Sequence, residues 1–141
     1  MTAPAPRKLN VFFDVDHTLV MPPNNTARRH IHDVFRQLTE MGHSIYVWSG
    51  LGIREWDMRR NGVDQFVSGY YTKPLFDYRA RLVECGIMVV PDFVIDDHPA
   101  VVADFDGYQI SDIGSGDDDE LLEVLRLIED HASKPVDDLA P

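Results

Sequence analysis

Short apolar runs alternate with amphipathic segments along this chain, and that order constrains the fold more than any other feature. The runs at residues 9–13, 44–48 and 93–95 are each long enough for one buried strand. Weaker strand patterns occur at residues 65–70 and 108–110. Strands that alternate with helices predict an α/β fold. We expect a three-layer, Rossmann-like arrangement, in which an open, mainly parallel sheet of about five strands carries helices on both faces.

Apolar residues at helical spacing predict the segments that connect the strands. Thr26 can cap the first helix and Gly42 ends it, while Lys73-Pro74 suits the start of the third. Gly114-Ser115-Gly116 predicts a turn in the connection before the last helix. The predicted helical segments cover residues 27–41, 53–60, 74–84, 99–105 and 121–130.

Composition limits the size and the partners of this chain. The 141 residues, 44% of them hydrophobic, suffice for one core, so we expect a single domain at residues 1–131 and a flexible tail at residues 132–141. The formal net charge of −11 disfavours nucleic acid and anionic membranes as partners. No apolar run approaches the roughly 18 residues of a membrane span, and no secretory signal is visible, so a cytoplasmic location is expected. The lone Cys85 excludes an internal disulfide framework.

Polar residues follow three of the predicted strands at the point where each strand ends. They are, in chain order, Asp14, Asp16, Ser49, Asp96 and Asp97. In an open parallel sheet the ligand site lies outside the carboxyl ends of the strands. We therefore expect these five side chains to converge at one edge of the sheet.

Several carboxylates at one edge of a sheet have a chemical consequence. They cannot all stay ionised at short range unless a cation neutralises them, and an all-oxygen ligand set favours Mg²⁺. Because Mg²⁺ usually takes one or two carboxylates plus a substrate phosphate, a spare carboxylate can attack phosphorus. A second one can protonate the leaving oxygen and later activate water. Ser49 and Lys73 would hold the phosphate oxygens, by a hydrogen bond and by charge respectively.

Four ordered motifs carry a resemblance to a known family. They are Phe13-Asp14-Val15-Asp16-His17-Thr18-Leu19, then Ser49 after Ile45-Tyr46-Val47-Trp48, then Lys73-Pro74, then Val94-Ile95-Asp96-Asp97. Together they resemble the motifs of the haloacid dehalogenase (HAD) superfamily, over residues 9 to about 110. The resemblance implies a HAD-like catalytic domain of the phosphatase type, because the dehalogenase branch lacks the second aspartate of the first motif.

The resemblance implies a role for each matching residue. Asp14 would be the nucleophile and Asp16 the general acid and base. Phosphate would be bound by Ser49, Gly50 and Lys73. The implied magnesium ligands are Asp14, Asp16 through its backbone carbonyl, Asp96 and Asp97. The expected activity is that of a Mg²⁺-dependent phosphohydrolase, which cleaves a phosphomonoester through an aspartyl-phosphate intermediate.

Two features set this chain apart from the common pattern of that family. His17 stands where the first motif usually has glycine. The stretches between the motifs are each largely used by one helix and a connection, so no cap domain fits. Capless members resemble enzymes that act on large substrates or that close the site with a neighbouring subunit. A phosphorylated macromolecule as substrate and a homo-oligomer therefore both stay open.

Two other functions are consistent with the same residues. An open site permits a nucleic-acid-end (3′) phosphatase, although the net charge disfavours it. A non-catalytic module could use the acidic edge to bind a metal or a partner protein, but the presence of both Asp14 and Asp16 counts against it. The arginines at positions 54, 59 and 60 could contact a phosphorylated substrate, but the nearby Trp56 and Met58 favour the exposed basic face of an amphipathic helix. His98 could lie at the mouth of the site or serve as a turn or cap residue.

Overall fold

Residues 5–111 and 117–134 are described by a computed structural model, in which five parallel strands form the central sheet. The strands are β1 (Asn10–Phe13), β2 (Val20–Met21), β3 (Thr26–Ala27), β4 (Ser44–Ser49), β5 (Val67–Thr72), β6 (Phe93–Asp96) and β7 (Gly107–Gln109). The helices are α1 (Ile31–Glu40), α2 (Glu55–Arg60), α3 (Pro99–Ala103) and α4 (Glu120–Ser133), with 3₁₀ turns at Asp64–Phe66 and Val83–Cys85. The sheet order is β5-β4-β1-β6-β7, and β2 pairs with β3 in a separate hairpin.

Alternating side chains of β1 divide the core between the two faces of the sheet. Val11 and Phe13 belong to one cluster, into which α1 and α4 bury their apolar sides. Phe12 belongs to a second cluster on the opposite face, where it packs with Trp48 and with Val101 of α3. Helices therefore cover both faces, and the predicted three-layer α/β fold is confirmed.

The register of the sheet brings the carboxyl ends of three strands to the same level. Phe13 lies opposite Val47 of β4 and Ile95 of β6. Asp14 and Asp96 directly follow Phe13 and Ile95, and Ser49 comes two residues after Val47, so all three lie at one edge of the sheet. This is why the polar residues that follow the three predicted strands meet, as the sequence indicates.

The first helix begins later than predicted. Thr26 does not cap it, because Thr26 pairs with Met21 in the β2–β3 hairpin. The chain then turns through His30, which has a left-handed φ of 74°, and α1 starts at Ile31. Gly42, with a φ of 91°, follows the helix as predicted.

The predicted helix at residues 74–84 is wrong. Asp77 takes a left-handed φ of 47°, which interrupts any helix that begins at Pro74, and only the Val83–Cys85 turn is regular. A continuous helix would put Leu75 and Leu82 on one side. The irregular segment instead buries Leu82 in the second cluster and leaves Leu75 exposed beside the carboxyl edge of the sheet.

The last helix is longer than predicted. It continues to Ser133, and Ala132 is buried in the first cluster, so the predicted tail begins too early. The turn predicted at Gly114-Ser115-Gly116 and the rest of the tail, residues 135–141, lie outside the described residues. Among the helices that the structure describes, none has the length and apolar character needed to cross a membrane.

Candidate functional site

An open pocket of about 390 Å³ lies at the carboxyl edge of β1, β4 and β6. Its lining includes all seven predicted site residues, which are Asp14, Asp16, Ser49, Gly50, Lys73, Asp96 and Asp97. These residues come from four separate segments of the chain. The convergence expected from the sequence is therefore present in the fold.

Lys73 joins the first and last of these segments. Its Nζ donates to Asp14 Oδ1 at 2.9 Å and to Asp96 Oδ2 at 2.8 Å. Burial alone would lower the pKa of Lys73, but the charges of Asp14 and Asp96 and their hydrogen bonds outweigh it and raise the pKa. Lys73 is therefore a fixed positive charge in the pocket floor.

Asp96 is fully buried and held from two sides. One carboxylate oxygen accepts from Lys73, and the other accepts from the backbone N–H of His98 at 2.9 Å. The His98 imidazole caps α3 by accepting from the backbone N–H of Ala100, which is the cap role that the sequence suggests. These contacts give the Asp96 carboxylate one fixed orientation.

Asp14, Asp96 and Asp97 form a cluster in which negative charge exceeds positive charge. Their carboxylate oxygens lie within 4.8 Å of one another. Burial, then the hydrogen bond and charge of Asp14 and the charge of Asp96, raise the pKa of Asp97 to about 7. A single lysine thus leaves this cluster short of positive charge.

The cluster also fits the size and chemistry of one magnesium ion. Mg²⁺ holds oxygen ligands at about 2.1 Å, which puts neighbouring ligands about 3 Å apart and opposite ligands about 4.2 Å apart. The three carboxylate oxygens lie within 4.8 Å of one another, so the cluster could hold a metal ion, and its donors are all oxygen. Within the described part of the chain it is the one group of three or more acidic, histidine or cysteine side chains with such spacing.

No protein-family model matches the chain, and no curated protein matches it.

The loop after β1 fixes Asp14 and Asp16 at the pocket. The Asp14 backbone N–H donates to the carbonyl of Ile95 at 3.0 Å, and the Thr18 hydroxyl donates to Asp14 Oδ2 at 3.2 Å. Beyond Asp16 the chain turns at His17, which has a left-handed φ of 66°. Asp16, three residues after the end of β1, lies just before this turn and lines the pocket.

The Asp16 carboxylate is not part of the three-carboxylate cluster. Both its oxygens accept hydrogen bonds from Arg54, at 2.7 and 3.0 Å. These bonds lower the pKa of Asp16 and outweigh the opposing effect of burial. As a metal ligand, Asp16 is thus limited to the backbone route that the resemblance implies.

Ser49 and Gly50 form the wall opposite the cluster. The Ser49 hydroxyl oxygen accepts from the Leu51 backbone N–H at 3.1 Å, and the Ser49 carbonyl accepts from the Lys73 backbone N–H at 2.9 Å. The hydroxyl hydrogen can still be donated to a bound anion. A Cβ at Gly50 would lie 3.2 Å from Leu75 Cδ2, a tight contact with the end of an exposed side chain.

Sequence reasoning missed the importance of two arginines. Arg54, interpreted as part of an exposed basic face, is an ion-pair partner of Asp16. Arg28 is buried behind the pocket lining, where it donates to Asp118 and to the carbonyl of His17, which lines the pocket. Of these two arginines, only Arg54 has a sequence pattern that indicates an ion pair, since Asp57 follows it at the i,i+3 spacing of a helical pair.

Proposed function

We propose that this chain is a Mg²⁺-dependent phosphohydrolase of the HAD type, which cleaves a phosphomonoester through an aspartyl-phosphate intermediate. The observation that carries the proposal is the pocket itself. Seven residues chosen from four sequence motifs line it, and Lys73 bridges two of the acids within 2.9 Å. An ion pair that only stabilised the fold would not need a third carboxylate, that of Asp97, beside it.

In the first step an Asp14 carboxylate oxygen attacks phosphorus while the bond from phosphorus to the leaving oxygen breaks. The electron pair of that bond goes to the leaving oxygen, which takes a proton from Asp16. Lys73 and the Ser49 hydroxyl hold the non-bridging phosphate oxygens, whose charge is greatest in the transition state. The product is an acyl phosphate on Asp14.

Asp16 is a carboxylate while it is paired with Arg54. A bound phosphate adds negative charge nearby, which raises the pKa of a carboxyl group and favours its protonation before the first step. In the second step Asp16 accepts a proton from water as that water attacks the phosphorus of the acyl phosphate. Breakage of the bond between phosphorus and Asp14 then releases inorganic phosphate.

Asp14, Asp96 and Asp97 are the side chains that would hold the magnesium ion, with the Asp16 carbonyl. Bound there, Mg²⁺ would neutralise part of the charge on a phosphate oxygen. Lys73 stays hydrogen-bonded to Asp14 and Asp96 and keeps Asp14 oriented toward the pocket.

The test is phosphate release from a panel of phosphomonoesters, with and without Mg²⁺, by the wild type and by Asp14→Asn. The panel contains sugar phosphates, nucleotides, a phosphopeptide and a 3′-phosphorylated oligonucleotide. We expect Mg²⁺-dependent release that falls by a factor on the order of 10³ or more in Asp14→Asn, because an amide is a far weaker nucleophile. Asp33→Asn, on the exposed side of α1, is the matched control and should keep the wild-type rate.

The outcomes separate the functions under consideration. Turnover retained by a folded Asp14→Asn protein would remove Asp14 as the nucleophile. Release confined to the oligonucleotide, with a steep salt dependence, would favour the nucleic-acid-end phosphatase. A folded protein that binds Mg²⁺ and releases no phosphate from any substrate would favour the non-catalytic module.

A further inference from the structure

Arg54 makes more ordered polar contacts than an exposed helix arginine would. Its Nη1 and Nη2 donate to the two oxygens of Asp16 at 2.7 and 3.0 Å. Its Nε donates to Asp57 at 2.7 Å, and Nη1 also lies 3.4 Å from the Ser49 hydroxyl. The Arg54 side chain is only 13% exposed. A guanidinium bound in this forked way fixes the plane of the carboxylate that it grips.

Asp57 anchors Arg54 from the other side. Asp57 is buried and accepts a hydrogen bond from the Asn25 side chain at 3.2 Å as well as the bond from Arg54. Its own position is set by α2, which begins at Glu55. The result is a chain of contacts that runs from α2 through Arg54 to Asp16 at the pocket wall.

We propose that Arg54 is a positioning residue, which holds the Asp16 carboxylate in the direction from which it serves the leaving oxygen and the attacking water. This inference rests on the proposed function, since Asp16 must take part in the reaction for its orientation to matter. The contact that would fix this direction is made through two nitrogens of Arg54, one to each oxygen of Asp16.

The geometry favours positioning over direct binding of phosphate. Three of the five N–H groups of Arg54 donate to Asp16 or Asp57, one from each nitrogen, so forked binding of a phosphate would displace one of these two carboxylates. Arg54 does not line the pocket, whereas Lys73 and Ser49 do. A phosphate in the pocket would therefore contact Lys73 and Ser49 rather than Arg54.

The test compares Arg54→Ala, Arg54→Lys and Arg59→Ala with the wild type, on an alkyl phosphate and on an aryl phosphate with a good leaving group. Arg59 is the matched control because it lies on α2, the helix that Arg54 directly precedes, carries the same charge and is exposed beside Glu55. We expect Arg54→Ala to lower kcat for the alkyl phosphate by a factor on the order of 10 to 100, with KM changed less than about threefold. The aryl phosphate should lose less, because its leaving oxygen needs little help from a positioned acid.

Arg54→Lys distinguishes positioning from charge. A lysine keeps the positive charge but is a single point donor that cannot grip both oxygens of Asp16, so most of the kcat loss should remain. Recovery of the wild-type rate in Arg54→Lys would show that charge alone matters and would overturn the proposal. Circular dichroism on each variant checks that the fold is retained, and Arg54→Lys carries the test if Arg54→Ala does not fold.

The remaining outcomes also decide the question. A tenfold rise in KM with unchanged kcat would make Arg54 a substrate ligand. Equal losses of kcat/KM on both substrates would overturn the proposal, because kcat/KM reports the first step, in which Asp16 serves the leaving oxygen. If Arg59→Ala loses as much as Arg54→Ala, the effect comes from the net charge of the helix. Absence of phosphate release by the wild type would overturn the proposed function and this role together, whereas the other results leave the proposed function in place.

Discussion

The buried Arg28 and the half-buried Lys73 each pair with two carboxylates, yet their surroundings differ. Arg28 donates through Nε to Asp118 at 2.6 Å and through Nη2 to Glu120 at 3.3 Å. Its remaining donors reach the backbone carbonyls of His17 and Ser111. Lys73 binds Asp14 and Asp96 in a pocket that also holds Asp97.

The two sites differ in whether a charged group remains without a partner of opposite charge. The Arg28 side chain is 1% exposed and its guanidinium is bonded on every nitrogen, so that site is closed and complete. The Lys73 side chain is 12% exposed at an open pocket, and one carboxylate there has no cation of its own. A buried ion pair whose donors are all bonded stabilises the fold. A partly exposed pair with more carboxylates than cations is suited to bind a further cation or a substrate.

The largest effect expected from this comparison is the loss of stability on removing Arg28. Arg28→Met leaves Asp118 buried without its cation, so we expect the free energy of unfolding to fall by about 3–5 kcal/mol. Urea denaturation measures the change. Arg36→Ala, which breaks an exposed pair with Glu40 on α1, should cost at most about 0.5 kcal/mol. Equal costs for the two variants would mean that the closed site contributes no more than a surface pair.

A smaller effect is expected when Mg²⁺ is added. If the open cluster binds the ion only in the folded state, a concentration one hundred times the Kd raises the free energy of unfolding by about 2.7 kcal/mol. Thermal unfolding with and without MgCl₂, at matched ionic strength, measures the change. Asp97→Asn should reduce it and Asp33→Asn should not. An unchanged melting temperature in the wild type at millimolar Mg²⁺ would count against the metal site.

The smallest effect concerns pH in the presence of a chelator. Asp97 has a folded pKa of about 7, above its unfolded value of 3.8, so the folded state binds more protons between these values. Stability contributed by Asp97 is then fully present below pH 4 and is lost as pH rises toward 7. Because Asp97 is partly exposed, we expect a loss of only about 1 kcal/mol after solvent screening. The difference between wild type and Asp97→Asn across this range isolates it, and parallel stability curves would contradict the prediction.

The strands that position the site could be predicted from the sequence because their signal is local. In the buried part of β1 the successive side chains that face the two sides of the sheet are apolar up to Asp14. The same holds for β6 up to Asp96. Parallel pairing then brings their carboxyl ends together. The roles proposed for the seven pocket residues remain predictions, because placement in one pocket is not activity.

Other features had no local signal. The helix predicted from Pro74 is interrupted at Asp77, whose left-handed backbone no spacing rule indicates. The contacts of Arg28 with Asp118 and of Arg54 with Asp16 join residues 90 and 38 positions apart. Ion pairs over such separations depend on how helices and loops dock on the sheet, so the sequence alone could not assign them.

The sequence by itself determined the parallel sheet and the edge at which its acidic residues collect, since both follow from the period of apolar side chains and the order of the strands. Only the tertiary structure decided how those acids divide. Asp14, Asp96 and Asp97 share one lysine, while Asp16 is drawn to Arg54. The physical reason is that carboxylates a few ångströms apart repel one another, and the packing of distant segments decides which of them receives a cation.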